Sequence, residues 1–430
     1  MVIHNDAFLS FFRASSPYIH AYRGKTVVIY LSGESLQQDG LELAHDLALL
    51  RSLGLKLVVV FGARPQINQA LQHQQLPSEF LQGLRITTSA ILDVVLGASY
   101  RLLAQLQAEL STGLVNSPMH GANVRTVTGN FIAAMPQGVL AGVDLQWTGS
   151  VRRVDATAIR AQLELGHLVL IPPVGGSVTG ELFNLNATEV AVATAQAIAA
   201  DKLIFIDDMQ AFKANNIPVH GPTLEQELIA QAAHHPTCAA ALQAYRLGVP
   251  RVHLLDLTQP GALLLELYTR DGCGWMLSAD AYDALRWATS EDIGGILALL
   301  APLEESGVLV RRSREQIELC IDDFVVNERD GMVVGCAALH LFADSKQAEL
   351  ACLAVHPDYQ DHGRGARLLS EIEARAKSHG VQELFALTTK TTHWFRAHGF
   401  AEGERQQLPE PKQSLYNLQR NSKIMIKPLQ

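Results

Sequence analysis

At 430 residues and 48% hydrophobic composition, the chain is too long for one ordinary core and apolar enough to fill two or three. Its formal charge of −9 lacks the Lys/Arg surplus that phosphate contacts require, which argues against a nucleic-acid partner and for small-molecule work. Five cysteines, odd in number and without a C-x-x-C spacing, indicate neither a disulfide framework nor a zinc knuckle and fit a reducing cytosol.

The first stretch, "MVIHNDAFLSFFRASSPYIHAYRGK", carries an early acid, has no basic n-region and reaches Arg13 before any long apolar run, so it reads as an amphipathic helix rather than a signal peptide. Strand-like and helix-like runs then alternate: "KTVVIYL", "LELAHDLALLRSLG", "LKLVVVFG", later "LVLIPPV", "ATEVAVATAQAIAA" and "DKLIFID". Continuous Val/Ile/Leu runs between helices predict a parallel sheet covered on both faces. The run "ATEVAVATAQAIAA", taken as the longest weakly polar stretch, falls well short of the roughly 20 apolar residues a bilayer requires, and no membrane span is expected. The texture changes around Ser278, Ala279 and Asp280, and a domain boundary is placed near residue 284, giving units 1–284 and 285–430. Beyond it the pattern predicts a helix near 291–300, antiparallel strands within "DFVVNERDGMVVGCAALHLF" turning at Asp330 and Gly331, and a strand "AELACLAV". A helix follows with Leu368, Leu369, Ile372 and Ala376 on one side, stopping at Gly380.

The stretch between that last strand and helix contains "QDHGRG". A strand, a glycine loop and a helix bring successive N–H groups and the positive end of the helix dipole to one point, where an anion belongs. Gly363 and Gly365 would admit a phosphate close to the backbone. A short glycine pattern by itself is more often only a turn, but this one fits Q/R-x-x-G-x-G/A in the right setting. With "LRWATSEDI" before it and "HWFRAHGF" after it, the segment resembles the GNAT family of acyl-coenzyme A transferases. The resemblance implies a mixed α+β domain whose central strands splay apart, acetyl-CoA as co-substrate and no metal. It also implies coenzyme contacts from Leu353, Val355, Gln360, Asp361, His362, Gly363, Arg364, Gly365 and Ala366.

In the first two-thirds, Gly24, Lys25 and Thr26 copy the end of a phosphate-binding loop, but Ile19 stands at the first glycine and a strand follows where a helix should. The run resembles instead the amino acid kinase family, in particular its arginine-sensitive acetylglutamate kinases, which implies an α/β unit with a mainly parallel sheet between helices. Tyr30 replaces the phosphate-binding lysine of such kinases, Ala63 and Arg64 replace two loop glycines, and Thr188 replaces an aspartate. Phosphoryl transfer depends on positioned positive charge, so kinase chemistry is expected to be lost. Arg85 and Asn184 match acetylglutamate contacts of the kinases, which leaves structural retention and a second amino-acid site both open.

The two halves together, with "SVTGE", "GVLVRRSREQ", "ELACLAVHPDY" and "LYNLQRNSK", resemble a family of bacterial amino-acid N-acetyltransferases. This implies transfer of the acetyl group of acetyl-CoA to the α-amino group of L-glutamate, the first step of arginine biosynthesis, in a cytoplasmic homo-oligomer, a hexamer in the family. L-Arginine is implied as an inhibitor at the kinase-like unit. An ammonium has no lone pair, so a base must take its proton. Glu349 is the candidate base, although a strand-start Glu is more often simply solvated. Alternation puts Glu349, Ala351 and Leu353 on one face, where apolar neighbours would make the carboxylate a stronger base.

The N–H of Cys352 or Leu353 would polarise the acetyl carbonyl; the Cys352 thiol has no adjacent base and reads as packing. Phe395 stands where many relatives have a tyrosine acid, which leaves Thr388 as donor to the departing thiolate. Two substrate carboxylates need cations, and among Arg311, Arg312, Arg314, Lys412, Arg420 and Ser422 the resemblance selects Arg311, Lys412, Arg420 and Ser422. Charge alone favours a solvated surface there. "GALLLELYTRDGCGW" resembles the arginine-binding run of the sensitive kinases and implies Glu266, Gly272 and Gly274 at the inhibitor, without the His that often precedes the run. His234 and His235, before Pro236, read as a helix end rather than metal ligands. A residual kinase and a non-catalytic arginine sensor are the competing classes; turnover of acetyl-CoA with amino acids separates them.

Overall fold

The computed structural model describes residues 5–112, 124–214, 222–278, 283–360, 363–415 and 422–429. The chain divides into two compact units, Met1–Asp280 and Ala281–Gln430. Asp361, His362 and Arg420 lie outside the described residues.

The first unit is organised by a seven-stranded sheet. Its strands are β1 (Thr26–Leu31), β2 (Lys56–Phe61), β3 (Thr126–Val127), β4 (Leu168–Ile171), β5 (Lys202–Asp207), β6 (Arg251–Asp256) and β7 (Trp275–Ser278), in the order β7-β6-β5-β1-β2-β4-β3. All neighbours run parallel except β6 and β7. Val28, Val58 and Leu203 enter the core on one face, while Val27, Leu57 and Ile204 enter the core on the other. Burial on both faces is why these strands read as unbroken apolar runs.

Around the sheet lie α1 (Asn5–Tyr22), α2 (Gly33–Ser52), α3 (Ser89–Thr112), α4 (Ala187–Ala197), α5 (Pro236–Arg246) and α6 (Ala262–Tyr268). Helix α1 exposes Phe8, Leu9, Phe11 and Phe12. The longest apolar helical stretch is α3, not the alanine-rich segment singled out from the sequence, and by length and composition it is able to cross a membrane. Its Val95, Leu102, Leu103, Leu106 and Leu110 pack instead into the sheet's core. A second sheet of Ile132–Pro136, Gly149–Val154, Val174–Gly176 and Leu182–Asn184 was not expected, because strands this short carry little periodicity.

The second unit is a mixed sheet of β8 (Asp283–Trp287), β9 (Phe324–Arg329), β10 (Met332–Phe342), β11 (Gln347–Val355), β12 (Glu383–Thr388), β13 (Ala401–Gly403) and β14 (Lys423–Pro428), ordered β8-β9-β10-β11-β12-β14-β13. Strand β8 begins at Asp283, so a break at 284 would cut into this unit's first strand. Asp330 and Gly331 both take positive φ in the β9–β10 turn, the geometry that matches the twist of a tight hairpin. One face of the sheet is covered by α7 (Ile293–Glu305) and the other by α8 (Arg364–Ser378). Helix α8 buries Leu368, Leu369, Ile372 and Ala376, with Gly380 at φ 73° just past its end.

Candidate active site

Two features of β11 create the site. Strands β11 and β12 pair in parallel only at Gln347–Glu383, Ala348–Leu384 and Glu349–Phe385. Beyond Glu349 the strands part. On the other side, β10 and β11 slip register: Cys336 faces Ala354 and Ala338 faces Ala351, so Cys352 and Leu353 together oppose Ala337. That is a β-bulge, and Cys352 takes the left-handed conformation, φ 51°, to make it. The bulge also breaks the alternation expected from the sequence. Ala351 and Cys352 both pack on the α7 side, whereas Leu353 packs with Leu350 and Val355 on the α8 side.

The opened fork is part of a cavity of about 810 Å³. Of the residues expected from the sequence, Glu349, Cys352, Leu353, Val355, Gln360, Gly363, Arg364, Gly365, Ala366, Thr388, Lys412 and Ser422 line it. Arg311 does not. It is exposed, and the arginine in the wall is its neighbour Arg312. Arg312 is placed by its backbone N–H, which donates to Glu304 Oε1 at 3.0 Å, and its Nη1 donates to Cys352 Sγ at 2.5 Å. The sequence offered three arginines in one short run without a period to rank them. Trp394, His398 and Thr391 also line the cavity and were not anticipated.

Glu349 is buried, with only 7% of its side chain accessible. Beside it is Lys412, from α9 (Glu410–Leu415), whose Nζ stands 2.6 Å from Glu349 Oε2. That oxygen has no partner in hydrogen-bond geometry, so charge rather than a directed bond holds the two. The surround is therefore not purely apolar, as the sequence suggested. Burial pushes the Cys352 thiol up to about 12 despite the opposing charge of Arg312, which keeps it a thiol near neutrality and leaves its backbone as the useful part. Thr388 Oγ1 lies 2.8 Å from Thr391 Oγ1 and accepts the Thr391 N–H at 3.2 Å.

At the far wall, Gly363 is the N-cap of α8 with φ 71° and no side-chain cap. A helix start of this kind, with no side chain at its cap, is where an anion is favoured. The two glycines serve different ends: a Cβ at Gly363 meets nothing within 4 Å, so its need is conformational, whereas one at Gly365 would stand 3.2 Å from the Trp394 indole. Arg364 is buried, with its guanidinium 5.3 Å from the Tyr359 ring and donating to Tyr359 O at 3.2 Å. Gln360 donates to Val355 O at 3.1 Å and ties the loop to the strand.

The first unit holds a smaller cavity of about 260 Å³, lined by Tyr30, Ala63, Arg64, Arg85, Asn184 and Thr188 among others. Tyr30 is buried against Phe205, ring centroids 5.6 Å apart, and burial raises its hydroxyl's pKa. Arg85 donates to Asn68 Oδ1 at 2.7 Å and to Ser78, and its guanidinium lies 4.6 Å from the Phe80 ring centre. Burial, with Arg64 adding to it, lowers its pKa to about 10.

Glu266 is placed otherwise than an open guanidinium acceptor. It accepts from His253 Nδ1 at 2.6 Å and from the N–H groups of Cys273 and Gly274 at 2.7 and 2.9 Å. Burial alone would raise its pKa, but these donors together hold it below the usual carboxylate range. A Cβ at Gly272 would meet the Glu266 carboxylate, and one at Gly274 would meet Leu255 and the Leu254 carbonyl. The glycines let the loop close on the carboxylate. His253, from β6, supplies an imidazole that the sequence, lacking the His that often precedes this run, did not suggest; His235 occupies the N-cap position of α5 without a side-chain capping bond.

A mixed sheet that forks beside a bulge, ending on an uncapped glycine helix start, defines an acyltransferase of the GNAT class, here on a chain whose other unit has the amino acid kinase fold. Residues 295–402 match the Acetyltransferase (GNAT) family and residues 25–218 the Amino acid kinase family. Amino-acid acetyltransferases from Photobacterium profundum and Azotobacter vinelandii are 43% and 46% identical to this chain, covering 99% and 98% of it and 99% of each relative. The crystal structure of N-acetylglutamate synthase from Neisseria gonorrhoeae, complexed with coenzyme A and L-arginine, is 35% identical, covers 98% of this chain and 99% of its own, and superposes with a TM-score of 0.84. The chain belongs to the amino-acid acetyltransferase family.

Proposed function

We propose that the enzyme transfers the acetyl group of acetyl-CoA to the α-amino group of L-glutamate, giving N-acetyl-L-glutamate and CoA. The observation that carries this is Glu349, buried at the point where β11 and β12 part, inside one cavity that extends to the N-terminus of α8. The Neisseria gonorrhoeae relative, crystallised with coenzyme A and N-acetyl-glutamate, supports the same choice of substrates.

The residues suit the co-substrate. An uncapped helix start takes phosphate without a counter-cation, and the fork exposes strand backbone to an acyl-thioester arm. Glu349 accepts the proton of the substrate ammonium, and the freed nitrogen attacks the thioester carbonyl. An N–H at the Cys352 bulge receives the developing oxyanion. As the C–S bond breaks, the electron pair leaves on sulfur and the nitrogen's second surplus proton passes to that sulfur or to solvent as the amide forms; with a thiol pKa of about 8.5 the thiolate needs little help, and Thr388 supplies a hydrogen bond. Arg312, Lys412, Ser422 and Arg420 bind the substrate carboxylates, with Arg312 taking the role the sequence assigned to Arg311.

The same reading makes the first unit regulatory, with L-arginine lowering activity from the loop held by Glu266, Gly272 and Gly274, and puts the reaction at the head of arginine biosynthesis. The relative bound to L-arginine supports this. It also takes the chain as a cytoplasmic homo-oligomer, for which the exposed phenylalanines of α1 offer a contact surface. The deciding experiment follows free thiol with acetyl-CoA and L-glutamate against other amino acids, with and without L-arginine. No thiol release with L-glutamate rejects the function. Release that L-arginine leaves unchanged rejects only the regulation.

A further inference from the structure

We infer that Lys412 is a latch on the catalytic base, released by the side-chain carboxylate of the correct substrate. The inference rests on Glu349 being the base of the proposed reaction. Lys412 Nζ stands 2.6 Å from Glu349 Oε2, with 25% and 7% of the two side chains accessible, and both line the large cavity.

A substrate ammonium and the Lys412 ammonium cannot both occupy that carboxylate without strong repulsion, since like charges a few ångströms apart in a partly desolvated site interact far more than in water. Among the described residues, the strand neighbours of Glu349 offer no alternative neutraliser. Across β10, His340 faces Glu349 in the ladder but turns its ring to Asp323 at 3.2 Å, and on the other side the partner is Phe385. Arg312 is turned to Cys352. Lys412 therefore has to leave Glu349 before the amine is deprotonated, and a partly buried ammonium parts from a carboxylate most readily for another anion. The second carboxylate of a dicarboxylic amino acid is that anion. An amino acid without it binds against a base that stays neutralised.

Specificity of this kind acts on kcat as well as on KM, which separates a positioning role from simple anchoring. The test measures acetyl transfer by the full-length enzyme to L-glutamate and to L-glutamine, its neutral isostere. In wild type, glutamine should lose kcat and not merely affinity. In Lys412→Met, glutamate KM should rise while kcat for glutamine rises roughly tenfold, the equivalent of about one pKa unit of charge interaction removed from the base; Lys412→Arg should keep glutamine turnover low. Glutamine kcat that does not rise in a folded Lys412→Met overturns the latch and leaves Lys412 a carboxylate anchor or a structural group.

Should the variant fail to fold, the wild-type enzyme decides. L-Alanine and acetate are together glutamate cut at its Cβ–Cγ bond, and acetate should stimulate alanine acetylation where chloride at equal ionic strength does not. Absence of that stimulation then rejects the latch. Wild type that fails to acetylate L-glutamate at all rejects the parent function and the latch with it, whereas good glutamate transfer without these effects rejects the latch alone.

Discussion

The two cavities of this chain begin from the same local design and have come to opposite ends. In the first unit β2 runs through Gly62 into the helix Arg64–His73; in the second β11 runs through the loop at Gly363 into α8. At the first, Arg64 with its side chain follows directly on the strand end, Tyr30 fills space beside Gly62, and the remaining cavity is about 260 Å³. At the second, the helix start has no side-chain cap and the cavity is about 810 Å³. A strand-to-helix turn is thus a scaffold and not a function. What decides is whether side chains are kept out of the space in front of the helix and whether a chemically competent group stands across from it.

The largest expected effect is at that group. Glu349→Gln should lower kcat by about 10²–10⁴-fold, the usual worth of general-base catalysis, with glutamate KM little changed. Activity should recover partly at high pH, where the substrate amine loses its proton unaided. A pH–rate profile with near-wild-type kcat throughout would move the base elsewhere and end the contrast between the two cavities.

Arg312→Ala should raise glutamate KM by about 10- to 100-fold, the equivalent of one or two charged hydrogen bonds. Arg311→Ala should fall within about twofold of wild type, as expected of an exposed arginine. Steady-state kinetics on the pair checks which arginine faces the substrate; the opposite ranking would show that the sequence assignment was right and the observed orientation irrelevant to binding.

At the helix start the two glycines should respond differently. Gly365→Val, driven against Trp394, should weaken coenzyme A binding by roughly tenfold or more in calorimetric titration. Gly363→Ala adds no clash and should cost about 1–2 kcal/mol of left-handed strain, seen first as lowered stability. Equal effects on coenzyme binding would mean that both glycines face the phosphates alike.

The smallest expected signal is in the first unit. Incubation with ATP and N-acetyl-L-glutamate should release no ADP above background, because among the described residues no lysine lines that cavity and Ala63 and Arg64 stand in the loop after β2. Dependent ADP formation would show the smaller cavity to be a working kinase site after all.

Legibility differed with the range of the interaction. The parallel sheet of the first unit was readable because both its faces are buried, so each strand is an unbroken apolar run such as "LVVVF". Helix α8 was readable from its period and its glycine start, and the loss of kinase parts from single replacements at Tyr30, Ala63, Arg64 and Thr188. The short strands between Ile132 and Asn184 were not, since pieces of a few residues take their conformation from their partners.

By itself the sequence determined two units of known class and placed Glu349 near a strand start, because periodicity and local motifs act within a few residues. Only the tertiary structure decided that β11 parts from β12 just after Glu349, that a bulge at Cys352 sends Leu353 to the opposite face, that Arg312 rather than Arg311 lines the cavity, that His253 reaches Glu266, and that Lys412 pairs with Glu349. Each of these joins residues distant in the chain or turns on one register slip. Period-two alternation contains no information about where a ladder will skip a residue or where two strands will separate.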